Sequence, residues 1–192
     1  MSFRSLITAG WVAMFSAFIA IPLAYITLKL EGKADVTTVV LQASIQLFGT
    51  LLFVVITRFM KKLLNEQYHF HDTDRQIDLM IMANVGAGIL VLVGLFFTPM
   101  KETLGIAAIV VMVLLGIVQV QFGYRLLKLQ NDLGGMLKPF CYSNVITGIF
   151  IASVVLLIVG VVTSAISDLM LGTIFFSVAK LAREPGPDEA DS

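Results

Sequence analysis

The sequence predicts an all-α integral membrane protein, a bundle of six transmembrane helices with both termini in the cytoplasm. Three observations carry this expectation. The 192-residue chain is 58% hydrophobic and 14% charged, with a mean hydropathy of +0.93, whereas a soluble domain carries about 25% charge. Six apolar stretches follow one another along the chain, and a hydrocarbon core of about 30 Å takes roughly 17–25 residues of helix to cross. Lys and Arg fall on alternate loops. Helix is the default because backbone groups find no partners in lipid, and the alternating pattern of a membrane barrel is absent.

The first stretch runs over about 6–28. It follows Met-Ser-Phe-Arg, a short basic start like that of a signal peptide. Its apolar run exceeds the roughly 7–15 residues of a signal segment, and more spans follow, so it is expected to be a retained helix. The second span covers about 36–57, the third 77–98, the fourth 103–124 and the fifth 140–163. The sixth, about 165–182, is shorter. TPMKE (98–102) joins spans three and four, and Pro99 suits a first helical position, where its missing N–H is no loss. Pro139 in KPF takes the same role for span five. TSAIS (163–167) reads as a tight turn between spans five and six. Asn131 and Gly134-Gly135 are expected to end the helix continuing from span four. The mixed segment LLKLQNDLGGMLKPF suits short amphipathic pieces at the cytoplasmic interface, or a plain connecting loop. One membrane domain thus occupies 1–182, and the polar, acidic REPGPDEADS (183–192) is expected to be a disordered cytoplasmic tail.

Orientation follows from the basic residues. The N-terminus, the 2–3 and 4–5 loops and the C-terminus carry Arg4, Arg58, Lys61, Lys62, Arg75, Arg125, Lys128, Lys138, Lys180 and Arg183, against Lys29, Lys33 and Lys101 on the other side. That split of ten to three puts both termini in the cytoplasm by the positive-inside rule. The expected location is the plasma membrane, or the inner membrane of a two-membrane bacterium, since outer membranes favour barrels. A net charge of zero leaves no basic footprint for nucleic acid.

YHFHDTDRQ (68–76) holds both histidines. A divalent ion at His69 and His71, helped by Asp72 or Asp74, is the sharper reading. The favoured one is a helix start. Thr73-Asp-Arg-Gln76 fits a capping box, with Thr73 accepting from Gln76 N–H and the Gln76 side chain bonding back. The aspartates would then meet the positive end of the helix dipole. Cys141 is the lone cysteine, so no internal disulfide forms. It suits a buried structural position or palmitoylation.

An ionisable group at mid-bilayer is a functional signal, and the sequence offers few. Asp78 and Asp168 fall near the expected starts of spans three and six, and Ser167-Asp168 reads as a helix N-cap. The neutral polar residues in the spans are Gln42 and Gln46, four apart and sharing a face, Asn84, Gln119 and Asn144. Amides in lipid usually hold helices together. The alternative is a polar lining formed by Gln42, Gln46, Asn84, Asn144, Gln119 and Asp168. HExxH, GxSxG, Walker and Rossmann patterns are absent, and no cofactor is implied.

The leading expectation is therefore a non-enzymatic subunit or scaffold of a membrane complex, with the lipid bilayer around it and a protein partner or second copy beside it. The alternative is a small-solute or lipid transporter with a neutral polar lining. An intramembrane enzyme is the least supported.

Overall fold

The computed structural model describes residues 1–30, 32, 35–154 and 156–182. The tail expected to be disordered, 183–192, lies outside them. The described chain is helical throughout, in the order α1 (Phe3–Leu30), α2 (Val36–Tyr68), α3 (Asp74–Phe96), a short 3-10 turn at Thr98–Met100, α4 (Lys101–Leu126), α5 (Leu137–Ala152) and α6 (Leu157–Leu181). Five of these helices, α1 to α4 and α6, are long and apolar enough to cross a membrane, the mark of a helical membrane protein. The 16 residues of α5 reach only about 24 Å at 1.5 Å per residue.

The helices form a closed ring. Each packs against its neighbours in sequence, α6 returns to α1, and no pair brings its backbones together across the middle among the described residues. Neighbours run antiparallel. Gly10 faces Phe176 and Ser16 meets Asp168 on the α1–α6 seam, while Gly116 faces Gly148 and Gly123 faces Cys141 between α4 and α5. Glycine is required at these crossings because the backbones lie too close for a side chain. A Cβ on Gly116 would sit 2.5 Å from the Gly148 carbonyl, and one on Gly148 2.6 Å from the Gly116 carbonyl. Such approaches supply the dispersion that holds helices together in lipid, where apolar burial gives no net drive.

The two ends of the ring differ. At the end bearing the start of α1 and the end of α6, Leu6, Leu63, Leu64, Ile77, Leu126 and Phe175 are fully buried in one core. The 127–136 connector joins that core. Leu129 and Leu133 are buried against it, while Lys128, Gln130, Asn131 and Asp132 are exposed. Leu133 holds a left-handed φ of 48°, followed by Gly134 and Gly135 at 70° and 83°, and Asn131 Oδ1 accepts the Leu133 N–H at 2.9 Å. The helix of span four ends at Leu126, before Asn131. Towards the other end the packing thins. The buried residues of α1 stop at Ala17. Pro22 then interrupts the α1 ladder, because it has no N–H to give.

Three expectations are corrected. The break between α5 and α6 falls at 153–156, not at TSAIS, which is helical inside α6. Asp168 is therefore no cap. It lies eleven residues from one end of α6 and thirteen from the other. The capping box at Thr73 does not form: Thr73 takes an αR conformation, and its Oγ1 is buried without a partner. An N-cap acceptor needs extended backbone to aim at the first amides. Gln76 turns instead to α4, accepting from Arg125 Nε at 3.1 Å and donating to the Asp72 carbonyl at 3.2 Å. Arg125 also donates to that carbonyl at 3.2 Å.

α2 continues past its expected span to Tyr68, carrying Lys61 to its pair with Asp78 of α3 at 2.7 Å. His69 takes the left-handed position that closes α2, and His71 Nδ1 lies 3.1 Å from Asp74. Both histidines stay in this loop.

Replacing Gly148 by Val is expected to destabilise the protein by about 1–3 kcal/mol, the usual cost of overpacking a tight contact. Gly105→Ala should be near neutral, since nothing lies within 4 Å of its added Cβ. Thermal unfolding in bicelles checks both, and equal effects would contradict the crossing described above.

Candidate functional site: a polar cavity inside the ring

Because no helix crosses the ring, its centre is not filled by backbone. A cavity of about 380 Å³ lies there, and all six helices contribute to its wall. Polar residues arrive from every helix: Ser16 from α1, Gln46, Thr50 and Thr57 from α2, Asn84 from α3, Gln119 from α4, Asn144 from α5, and Ser164, Ser167 and Asp168 from α6. Phe53, Phe122 and Phe140 line it with apolar surface.

Asp168 stands at mid-helix, about 17–20 Å from either end of α6 at 1.5 Å per residue. Its carboxylate accepts one hydrogen bond, from Ser16 Oγ at 2.8 Å. Asp168 is the sole charged residue among the described residues of the wall. Around it the amides bond in short chains. Gln119 Nε2 donates to Asn144 Oδ1 at 3.3 Å, and Asn144 Nδ2 donates to the Phe140 carbonyl at 2.9 Å. Ser143 and Ser167 hydroxyls lie 2.7 Å apart between α5 and α6. Gln46 Nε2 donates to Thr50 Oγ1 at 3.4 Å, and this edge of α2 lies against Gly88 of α3. Asn84 Oδ1 is buried with no donor in reach, and an unmet acceptor in such a place costs about 1–3 kcal/mol.

Towards the loosely packed end a second hollow, about 250 Å³, is lined by Gln42, Val91, Leu95 and Lys101. It shares Thr27, Ile45 and Gln46 with the central cavity, so the two adjoin at Gln46. Gly49, on the same edge of α2, has open space around it. The packed core closes the opposite end.

Of the residues singled out from sequence, Gln46, Asn84, Gln119, Asn144 and Asp168 are brought to one cavity, and Gln42 lies at its approach. Sequence reasoning missed Ser16, Thr50, Thr57 and Ser164. Single hydroxyls in apolar helices satisfy themselves on the preceding turn, as Ser44 does on Val40 at 2.8 Å, and so carry no signal of their own. His69 and His71 take no part. Among the described residues, no three or more His, Cys, Asp and Glu side chains cluster as a metal site. Cys141 is fully buried on α5 against the α4 crossing.

Comparison with protein-family models, with curated proteins and with solved structures finds no match to this chain.

Replacing Gln119 by Leu should destabilise the ring by about 0.6–2 kcal/mol, the worth of an amide bond between membrane helices. Asn144→Leu should cost a similar amount, and the double variant less than the sum of the two. Unfolding measurements on this cycle check the bond, and strict additivity would show that it contributes nothing.

Proposed function

We propose that this protein is a membrane transporter that takes a small polar solute into the central cavity from the loosely packed end. The observation that carries the proposal is convergence: every helix of the ring brings a polar side chain to one hollow around an acid at the middle of α6. A charged group there costs about 2.5–3.5 kcal/mol on insertion scales, and the hollow forfeits packing contacts besides. A scaffold or assembly subunit needs helix contacts but has no use for this arrangement. The positive-inside placement puts the packed end in the cytoplasm, so the open end faces outwards from the plasma or inner membrane. Carboxylate, amide and hydroxyl groups at this spacing suit binding and passage rather than catalysis. The lining is not wholly neutral, as expected from sequence, because Asp168 belongs to it.

The test is accessibility from each side. Cys141 is fully buried, so it stays silent to a membrane-impermeant methanethiosulfonate. Gln42→Cys, Gln46→Cys and Asn84→Cys should react from the outside, in falling order of rate. Gln46→Cys and Asn84→Cys should also react, more slowly, from the cytoplasmic side as the ring alternates. Labelling from outside alone would leave a binding protein and end the transport proposal. No labelling of these positions in folded protein would make them packing residues.

A further inference from the structure

We infer that the solute carries a protonated amine and that Asp168 is its counter-charge, an assignment that rests on the transport proposal and names its ligand class. The central wall holds one carboxylate and no Lys, Arg or His among its described residues. An anion would meet only repulsion there. A neutral solute would leave the carboxylate with its single bond from Ser16, buried and uncompensated.

Part of the wall's hydrogen bonding is already committed: Ser16 donates to Asp168, Gln119 to Asn144, Asn144 to Phe140 and Gln46 to Thr50. Asn84 Nδ2 and the Thr57 and Ser164 hydroxyls remain as donors, and acceptors remain beside them. Asp168 has capacity beyond one bond, and Asn84 Oδ1 has no donor. An ammonium brings three donors and no acceptor. Phe53, Phe122 and Phe140 contribute the apolar part of the same wall. A bare metal cation fits the site poorly. The wall supplies one carboxylate, and a volume of about 380 Å³ is far more than a single bare ion fills. Lys101 lies in the outer hollow, beyond Gln42 and away from the carboxylate.

The experiment uses the full chain in lipid nanodiscs and three probes of one shape and different charge: benzylamine, benzyl alcohol and benzoate. Titration calorimetry should show benzylamine binding about tenfold or more tightly than benzyl alcohol, a gap of about 1.4 kcal/mol, with benzoate weakest. Asp168→Asn keeps the shape and the contact with Ser16. It should abolish the preference for the amine, with benzyl alcohol still bound, which also shows that the variant cavity is intact. Asp168→Glu should retain the preference. If benzyl alcohol binds as tightly as the amine, if Asp168→Asn binds the amine at wild-type strength, or if none of the probes binds, the amine assignment is overturned. Cysteine accessibility is measured without any ligand, so those results leave the transport proposal standing. Unreactive cysteines would bring it down whatever the probes do.

Discussion

The bond from Ser16 to Asp168 lies on the seam where the last helix meets the first, and that seam turns three hairpins into a ring. Loops join every other neighbouring pair. Only α1 and α6 must find each other without a short connection, and they do so along most of their length. Gly10 receives the Phe176 ring, whose edge also meets Trp11 with centroids 5.6 Å apart. Gly172 lets Met14 and the Gly10 carbonyl approach. Small residues bring the backbones close and the Ser–Asp bond fixes the register between them. Were the seam open, Asp168 would face lipid rather than a polar interior.

Closure produces a hollow, and uneven packing gives the hollow a direction. The same helices that interlock around Leu63, Ile77 and Phe175 separate towards their other ends. α2 is the loosest member. Only 11% of its most apolar window is buried, against 39% for α6, and it forms one wall of both hollows. Its neighbour α1 carries Pro22 at the level where packing gives out. A proline that removes a ladder bond lowers the cost of bending there. The packed end is held by the Lys61–Asp78 pair and by Arg125 across the α2–α3 loop. On the transport proposal, the motion that admits a solute would belong to α1 and α2 near the open end, hinged on the packed core.

The helical class and the number of helices were legible because apolar length and basic punctuation are strong signals. So were the amides, since Gln46, Asn84, Gln119 and Asn144 are conspicuous in apolar runs. Asp168 was placed wrongly by one boundary. Thr163, Ser164 and Ser167 read as turn residues, and the true break after Ala152 is marked by neither Gly nor Pro. Val154 takes a φ of 59° there, which nothing in a β-branched residue advertises. Moving that boundary by ten residues carried Asp168 from a helix end to the middle of α6 and changed its meaning. Thr73 failed for a related reason. Its motif was right, but Arg125, far away in sequence, claimed Gln76 first. Convergence around a ring was illegible, because it depends on which face of each helix turns inward.

The choice of an acid is itself informative, because the ring shows what it uses when only cohesion is needed. Between α4 and α5 the buried polar contact is the neutral pair Gln119–Asn144, and between α5 and α6 it is Ser143 with Ser167. Each satisfies itself without placing charge in a low dielectric. A further amide at 168 could have met Ser16 in the same way, with less desolvation to offset. A carboxylate differs from an amide by its negative charge and its spare acceptor capacity. Neither is needed to hold α6 on α1, since Gly10 and Gly172 already bring the backbones together. Both are what a hollow needs to prefer a positively charged, donor-rich guest over water. The acid is costly to a membrane fold, and on the amine proposal that cost is matched by its usefulness to such a guest.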